Sequence, residues 1–187
     1  MKRLVIITVG LTHSGKTTFA RTLEKELDNS TVIDQDNHAE FINTYYKRLQ
    51  PKDGPNTFKH AISRLIVNYA KDQTDHHLII CNSNRSRKDR SYLFGELLPK
   101  GDFIHIIVHF DIPYPVLQAR VKESKRITNI FRGSYSNFEQ VLNKQMADSV
   151  KEDVVNPAEG EADHLFVIKD NKEAEFVIQE ILRIAGQ

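Results

Sequence analysis

A glycine-rich segment near the start of the chain constrains the fold more than any other feature. Residues 10–17 read Gly-Leu-Thr-His-Ser-Gly-Lys-Thr and satisfy every fixed position of the pattern Gly-x-x-x-x-Gly-Lys-Ser/Thr. Apolar residues 4–9 come immediately before it, and an amphipathic helical pattern begins at Lys16. Glycines let a backbone wrap closely around an anion, and the N–H groups of a helix N-terminus point at it. The segment therefore predicts a phosphate-binding loop that joins a strand to a helix.

The chemistry of a nucleoside triphosphate assigns a role to each part of this loop. Lys16 is expected to bridge the β- and γ-phosphates and to act in catalysis, and the Thr17 hydroxyl is expected to bind Mg²⁺. His13 is expected to be a spacer that contributes its backbone rather than a catalytic histidine. Thr18 either touches the α-phosphate or is only a first-turn helix residue. The expected contacts of the nucleotide, ATP, are Gly10, Leu11, Thr12, His13, Ser14, Gly15, Lys16, Thr17 and Thr18.

Apolar runs and amphipathic segments alternate along the chain. Nearly continuous apolar runs predict strands buried on both faces, at residues 4–9, 77–81, 103–110 and 164–168, with a weaker fifth at 31–33. Apolar residues at spacings of three and four predict helices at residues 16–27, 57–70, 116–121, 138–146 and 172–185. Such alternation is typical of an α/β sandwich with a central parallel sheet.

Composition narrows the class of protein further. The 187 residues are 40% hydrophobic and 27% charged, which suits one globular domain spanning residues 1–187. A formal net charge of +1 provides no overall field that would attract nucleic acid or a membrane surface. Cys81 is the single cysteine, so no intrachain disulfide can form, and we expect a cytoplasmic protein without a membrane partner.

Polar motifs follow the predicted strands. The second strand leads into Asp34-Gln35-Asp36, the third into Asn82-Ser83-Asn84 and the fourth into Asp111-Ile112-Pro113. Together with the glycine motif, these segments resemble the small P-loop kinases of the adenylate kinase-like group. Within it, they are most similar to the polynucleotide kinase, zeta-toxin and gluconate kinase branch. The resemblance implies a P-loop NTPase fold: a three-layer α/β sandwich, a five-stranded parallel sheet ordered 2-3-1-4-5, and a helical lid. It also implies transfer of the γ-phosphoryl group of ATP to an acceptor.

The carboxylates after the second strand are the candidates for a catalytic base. In the resembling kinases an aspartate at this point faces the acceptor hydroxyl, and Asp36 matches it best, with Asp34 as the alternative. A carboxylate there can orient the hydroxyl, take its proton and bind Mg²⁺ together with Thr17. Asp34 could instead cap the following helix or hold Mg²⁺ through water, and Asp36 could itself be a helix N-cap.

Two positions depart from the resembling kinases. Ala39 stands where many of them carry an arginine that grips an acceptor phosphate, and Cys81 stands where an aspartate often orders water around the metal. We expect Cys81 to be a small buried apolar residue, with Asp34 or Asp36 replacing the missing carboxylate. The departure at Cys81 keeps a second reading open, in which the protein binds or slowly hydrolyses a nucleotide as a switch and has no small-molecule acceptor.

Polar and basic residues follow the third predicted strand. Asn84, Arg85 and Arg87 lie near its carboxyl end, where open α/β sheets bind ligands, and we expect them to hold an anionic acceptor. A solvated helix start is the alternative. The nearly neutral total charge disfavours an extended nucleic-acid groove, although these residues could still bind a nucleic-acid end.

A long polar and basic stretch separates the fourth and fifth predicted strands. We expect a lid insertion at about residues 120–136, called the lid segment below. The resemblance implies that Arg120 lies against the adenine or the phosphates. It also implies that lid arginines reach the transferring phosphate as catalytic residues, with Arg126 as the best match and Arg132 as the second. A solvated basic loop is the alternative. The sequence therefore predicts an ATP-dependent phosphotransferase whose partners are ATP and a hydroxyl-bearing acceptor of unidentified structure.

Overall fold

A parallel β-sheet forms the centre of the computed structural model, which describes residues 2–133 and 135–187. Its strands, in chain order, are β1 (Arg3–Gly10), β2 (Ser30–Asp34), β3 (His77–Cys81), β4 (Phe103–Phe110) and β5 (His164–Ile168). They pair side by side in the order β2-β3-β1-β4-β5, and every pair is parallel. The predicted sheet and its strand order are therefore confirmed, and each predicted strand is present to within one residue at either end.

Helices connect the strands and cover the sheet. They are α1 (Lys16–Glu26), α2 (Gln35–Tyr45), α3 (Thr57–Gln73), α4 (Arg87–Tyr92), α5 (Tyr114–Lys122), α6 (Phe138–Ala147) and α7 (Ala174–Ala185). A short 3-10 turn, Asn171–Glu173, precedes α7, because the Asp170 side chain and Glu173 form a capping box there. The helix predicted from residue 172 therefore begins as α-helix two residues later.

Two apolar cores lie on opposite faces of the sheet. In β1, Leu4 and Ile6 belong to one core and Val5, Ile7 and Val9 to the other, as expected for a strand whose side chains alternate. The first core contains apolar residues from α1, α5, α6 and α7, and the second contains residues from α3 and from the segment after α4. Because both faces are covered, the chain is a three-layer α/β sandwich, as predicted.

The carboxyl ends of β1, β2 and β3 meet at one edge of the sheet. Asp34 at the end of β2 is in register with Cys81 at the end of β3. The N–H of Gly10, at the end of β1, donates to the carbonyl of Ser83 at 3.0 Å. The segments that follow these strands are therefore brought together, and this is the edge at which open α/β sheets bind ligands.

The lid segment begins in the last turn of α5 and ends just before α6. Its described residues beyond α5, 123–133 and 135–136, form turns and irregular backbone without a helix. The helical part of the predicted lid is therefore supplied by the two flanking helices. Within the parts of the chain that the structure describes, every helix is too short or too polar to cross a membrane.

Candidate functional site

The glycine-rich loop adopts a backbone that only glycine accommodates easily at its ends. Gly10 has a φ of 148° and Gly15 a φ of 104°. A Cβ atom on Gly10 would lie 2.8 Å from the carbonyl oxygen of Phe110, which is fixed in β4. Helix α1 begins at Lys16 without a side-chain cap, so its first N–H groups are not occupied by a capping side chain. A loop of this form can hold phosphate, because those N–H groups and the helix dipole both attract anions.

Lys16 folds back onto its own loop. Its ammonium donates to the Leu11 carbonyl at 2.5 Å and to the Ser14 hydroxyl at 3.2 Å. Burial lowers the pKa of Lys16 to about 8, and the charge of Asp36 opposes part of that fall. The ammonium is thus held against the glycine-rich loop.

The ring of His13 packs between the loop and the lid segment. Its Nε2 lies 2.7 Å from the Ser124 hydroxyl, its Nδ1 lies 3.0 Å from the Thr12 hydroxyl, and its ring packs edge-on against Phe138. Burial, together with the nearby charge of Arg126, lowers the pKa of His13 to about 4, so the ring is neutral at physiological pH. The His13 ring therefore links the loop to the lid segment, a contact that the sequence did not indicate.

One cavity of about 630 Å³ opens beside this loop. Its lining includes both catalytic carboxylate candidates, Asp34 and Asp36, and both catalytic arginine candidates, Arg126 and Arg132. The predicted nucleotide contacts that line it are Thr12, His13, Gly15, Lys16, Thr17 and Thr18. Gly10 and Leu11 line a neighbouring cavity instead, and Ser14 is completely buried within the loop.

The two carboxylates after β2 have different surroundings. Asp34 is buried, and its Oδ1 accepts a hydrogen bond from the Asp36 N–H at 2.9 Å, so Asp34 is the N-cap of α2. Burial raises the pKa of Asp34. Asp36 is partly exposed, and its Oδ2 accepts a hydrogen bond from Arg126 at 2.9 Å. Asp36 is therefore the carboxylate that forms a hydrogen bond with the lid segment.

The oxygen atoms beside Lys16 suit Mg²⁺. Thr17 and both aspartates line the same cavity, and hydroxyl and carboxylate oxygens are ligands that Mg²⁺ prefers. Cys81, at the end of β3, also lines this cavity, and its sulfur lies 3.7 Å from the Thr17 hydroxyl oxygen. Burial raises the pKa of Cys81 to about 11, so the thiol stays neutral and offers Mg²⁺ no charged ligand. No group of three or more His, Cys, Asp or Glu side chains that could hold a metal ion occurs in the described ranges.

Arg120 contacts the outside of the glycine-rich loop rather than the cavity. Its guanidinium donates to the His13 carbonyl at 3.2 Å and to the Asn171 side-chain carbonyl at 3.0 Å. The Asn171 amide in turn donates to the Ser14 carbonyl at 3.2 Å. Arg120 and Asn171 therefore form a polar network that joins the loop to α5 and to the turn before α7.

The structure does not bring the three predicted acceptor-binding residues into the cavity. Asn84 is buried and donates to the Thr8 carbonyl at 2.9 Å, which supports its own left-handed backbone at a φ of 43°. Arg85 donates to the carbonyl of Gln145 at 2.7 Å, at the end of α6. Arg87 is exposed and lines a separate cavity. The contacts of Asn84 and Arg85 hold the chain around the site together, and neither residue lines this cavity.

Three polar residues of the cavity lining have no matching motif in the sequence. Asn56 and Lys59 come from the start of α3, and Gln145 comes from α6. The Gln145 side-chain oxygen accepts a hydrogen bond from the Thr12 N–H at 2.7 Å, so it occupies one amide of the phosphate-binding loop. Both helices carry many other polar residues, so no signal in the sequence singles these three out.

The lid segment is docked onto α2 and onto the loop before α3. The Asn43 side-chain amide donates to the carbonyls of Asn129 at 2.5 Å and Phe131 at 3.1 Å. Arg132 donates to the carbonyls of Pro51 and Gly54. These contacts place the lid segment as one wall of the cavity.

Solved structures with this fold include several small kinases. A sugar kinase from Janibacter sp. is 19% identical over 97% of this chain and 93% of its own, with a TM-score of 0.60. Shikimate kinase from Bacteroides thetaiotaomicron is 13% identical over 98% and 99%, with a TM-score of 0.57. Chaetomium thermophilum Kti12 in complex with ADP-AlF3 is 16% identical over 96% and 97%, with a TM-score of 0.60. At these identities the likeness shows the fold, which is that of the small P-loop kinases.

Sequence comparison adds the family. No curated protein matches the chain. A family model described as an AAA domain, AAA_33, matches residues 5–150, which include the glycine-rich loop, the carboxylates after β2 and the lid segment. This match covers more than half of the chain, and the chain therefore belongs to the AAA_33 family of AAA domains.

Proposed function

We propose that this protein transfers the γ-phosphoryl group of ATP to a hydroxyl group of an acceptor bound in the 630 Å³ cavity. The observation that carries the proposal is that one cavity is lined by the phosphate-binding loop, by Asp36 and by Arg126. Phosphoryl transfer needs a donor cradle, a group that orients the nucleophile and positive charge for the transferred group. Two of the similar structures are described as a sugar kinase and a shikimate kinase, and both names denote acceptors with hydroxyl groups.

Asp36 is proposed as the group that orients the acceptor hydroxyl and takes its proton. Its carboxylate is partly exposed in the cavity and lies on the first turn of α2, whose start is held by the Asp34 cap. Asp34 is less suited to this step, because its Oδ1 already accepts from the backbone of α2. The proton would move from the hydroxyl to an Asp36 oxygen as the new O–P bond forms.

Positive charge would stabilise the transferred phosphoryl group. Lys16 is proposed to give up its hydrogen bonds to Leu11 and Ser14 and to bind the β- and γ-phosphates. Arg126 is proposed to give up its hydrogen bond to Asp36 and to bind the transferred phosphoryl group. Thr17, with Asp36 or Asp34, would hold Mg²⁺, which when bound neutralises phosphate charge. Arg132 is a second arginine of the same lining.

The nucleotide end and the lid complete the proposal. Arg120 would contact the adenine or the phosphates from the network that it forms with Asn171 and the loop. The lid segment, residues 120–136 of a single domain, would close over both substrates and exclude water. The single, buried cysteine is in keeping with a cytoplasmic location.

Transfer of radiolabelled γ-phosphate from ATP to a panel of hydroxyl compounds tests this function. We expect the wild-type protein to label at least one compound. Lys16→Ala should lower the rate by about 100-fold or more, because the charge on the transferring phosphate is no longer compensated. Lys25→Ala is the matched control, since Lys25 is an exposed lysine at the far end of the same helix, α1. Equal rates for Lys16→Ala and the wild type would overturn the proposal.

A nucleotide-dependent switch is the second candidate function. The observation that favours it is Cys81, a neutral thiol 3.7 Å from the Thr17 hydroxyl, where a carboxylate would give stronger metal support. The same labelling experiment separates the two functions. The switch would be favoured over the phosphotransferase by three results together. Labelled inorganic phosphate would be released slowly, no acceptor would be labelled, and a protein partner would be captured only with ATP present.

A further inference from the structure

The cavity carries more positive charge than the nucleotide chemistry uses. Its basic lining residues besides His13 are Lys16, Lys59, Arg126 and Arg132. The proposed function assigns Lys16 and Arg126 to the phosphates of ATP. Lys59 and Arg132 remain, and neither forms an ion pair with a carboxylate within residues 2–133 and 135–187. Positive charge without a carboxylate partner, facing a cavity, is typical of a site for an anion.

We infer that Lys59, Arg132 and Asn56 form a subsite for an anionic group of the acceptor, so that the substrate is a hydroxyl compound that also carries a carboxylate or a phosphate. This inference rests on the proposed function for the hydroxyl, but the anion subsite itself is defined by the residues of the cavity. Many of the resembling kinases carry an arginine at the position of Ala39, on α2. In this chain the positive charge for the acceptor would come from α3 and the lid segment instead.

Lys59 is held in place by the start of its helix. Asn56 is the N-cap of α3, and its side-chain oxygen accepts a hydrogen bond from the Lys59 N–H at 3.2 Å. The Lys59 ammonium forms no hydrogen bond to any described residue. Burial lowers the pKa of Lys59, the charge of Asp36 opposes this, and Arg132 lowers it further. Both cations line the same cavity, and a bound anion would compensate for the burial of the ammonium and for its repulsion by Arg132.

Arg132 is positioned by backbone rather than by charge. Its two terminal nitrogens donate to the carbonyls of Pro51 and Gly54, in the loop before α3. These carbonyls orient the guanidinium without neutralising it, and a guanidinium has further N–H donors for a carboxylate or a phosphate. The lid segment thus brings a fixed cation to the same wall as Lys59.

The two carboxylates of the cavity form no ion pair with Lys59 or Arg132 in the described residues, although their charges oppose part of the fall in the Lys59 pKa. Asp36 is paired with Arg126 at 2.9 Å, and an Asp34 oxygen caps α2. They are the only acidic residues in the lining within the described ranges. Ile130, Phe131 and Tyr135 of the lid segment form an apolar part of the wall beside Arg132. The acceptor class that fits is therefore a small hydroxylated anion with a carbon skeleton that can pack against an apolar surface.

Calorimetric binding of matched probes to the protein saturated with a non-hydrolysable ATP analogue and Mg²⁺ tests the subsite. The pairs are D-gluconate with D-sorbitol, and glycerol 3-phosphate with glycerol, and each pair differs in the presence of an anionic group. Inorganic phosphate and acetate serve as the smallest anions. We expect at least one anionic probe to bind the wild type roughly 10-fold or more tightly than its neutral partner. Whichever pair shows the preference distinguishes a carboxylate from a phosphate.

Variants assign the preference to the named residues. Lys59→Gln and Arg132→Gln should each remove most of it, whereas the control Lys52→Gln, at an exposed lysine in the loop before α3, should keep it. In turnover, Lys59→Gln should raise the KM of the anionic acceptor roughly 10-fold or more and leave the KM of ATP unchanged.

Several outcomes would overturn the subsite: failure of every anionic probe to bind, equal binding of charged and neutral probes, or a preference that survives in both variants. A loss of ATP-analogue affinity in Lys59→Gln would also overturn it, because Lys59 would then belong to the nucleotide. The binding assay needs no turnover, so the two proposals can fail separately. An anion preference that depends on Lys59, without any phosphoryl transfer, would remove the phosphotransferase and keep the subsite. Transfer to a neutral acceptor with an unchanged KM in Lys59→Gln would do the reverse.

Discussion

Arg126 donates a hydrogen bond from Nη2 to Oδ2 of Asp36 across 2.9 Å, so the proposed base and the proposed phosphate-binding arginine are partners in the absence of substrate. The Asp36 side chain is 42% exposed and the Arg126 side chain is 40% exposed. An ion pair this open to water contributes little stability and is easily exchanged for other partners. A substrate hydroxyl and a transferring phosphoryl group could therefore separate the pair, and the lid segment would keep its link to α2 through other contacts.

Asp36→Asn tests the role of this carboxylate. Because an amide cannot take a proton from the hydroxyl, we expect kcat for phosphoryl transfer to fall by about 10²–10⁴-fold. The free energy of unfolding should change by less than about 0.5 kcal/mol, since the Arg126 contact is exposed. Steady-state kinetics and urea unfolding measure both quantities. Asp28→Asn is the control, an exposed aspartate before β2, at the opposite edge of the sheet. A wild-type kcat in Asp36→Asn would remove the residue from catalysis.

The pKa of Lys16 predicts how nucleotide affinity depends on pH. Below about pH 8 the ammonium is charged in the empty protein, and above it the amine is neutral, because burial lowers its pKa to about 8. The phosphates bind the charged form of Lys16. Above about pH 8 the neutral amine must therefore take up a proton when ATP binds. The affinity for ATP should therefore fall by about tenfold for each pH unit above about 8. Titration calorimetry in buffers of different ionisation enthalpy measures both the affinity and the proton uptake.

Lys16→Ala provides the control for this pH dependence. The variant should bind ATP weakly at every pH, with no proton uptake above about pH 8. If the wild type binds with the same affinity on both sides of its Lys16 pKa, or if the variant keeps the full pH dependence, the titrating group is another residue.

Much of the fold followed from local patterns in the sequence. The strands are buried on both faces and are therefore continuous apolar runs, such as residues 103–110, which form β4 as predicted. The glycine-rich loop was recognisable because its backbone geometry restricts residue type, as the φ of 148° at Gly10 shows. Asp34 and Asp36 were recognisable as a pair, since both follow a strand end on the ligand-binding edge of a parallel sheet. Which of them caps α2 and which pairs with Arg126 depended on side-chain orientation, which the sequence left open.

The rest of the site could not be read from local patterns, because it depends on contacts between distant segments. Lys59 and Gln145 line the cavity only because α3 and α6 approach the loop, and neither residue belongs to a spacing rule. Conversely, Arg85 follows β3 closely, but its side chain turns to the end of α6. Proximity to a strand end in sequence therefore did not decide which cations face the cavity.

Gly10→Ala tests whether the loop geometry is required by the fold. A Cβ at residue 10 would meet the Phe110 carbonyl oxygen at 2.8 Å, and a φ of 148° is unfavourable for alanine. Neither strand can move away easily, because Gly10 and Phe110 are partners in the pairing of β1 with β4. We expect the free energy of unfolding to fall by about 2–4 kcal/mol.

Gly101→Ala is the matched control for this substitution. Gly101 has open space where a Cβ would stand and an ordinary backbone φ. The free energy of unfolding of the Gly101→Ala variant should equal that of the wild type or exceed it by up to about 1 kcal/mol, because alanine restricts the unfolded chain. Urea unfolding followed by circular dichroism measures both variants. Equal stabilities for the two variants would show that the loop adapts to a side chain at residue 10.

Asn43→Ala tests the docking of the lid segment. Asn43 donates to two carbonyls of that segment, those of Asn129 and Phe131, and loss of these bonds should favour opening by about 1 kcal/mol, or about fivefold. Trypsin should then cut after Lys125, Arg126 and Arg132 about fivefold faster, since cleavage follows the open population when opening is rapid. Mass spectrometry of timed digests gives the rates. Asn37→Ala is the control, because Asn37 is an exposed residue of the same helix that makes no described contact with the lid segment. Equal cleavage rates in the two variants would mean that Asn43 does not hold the lid segment against α2.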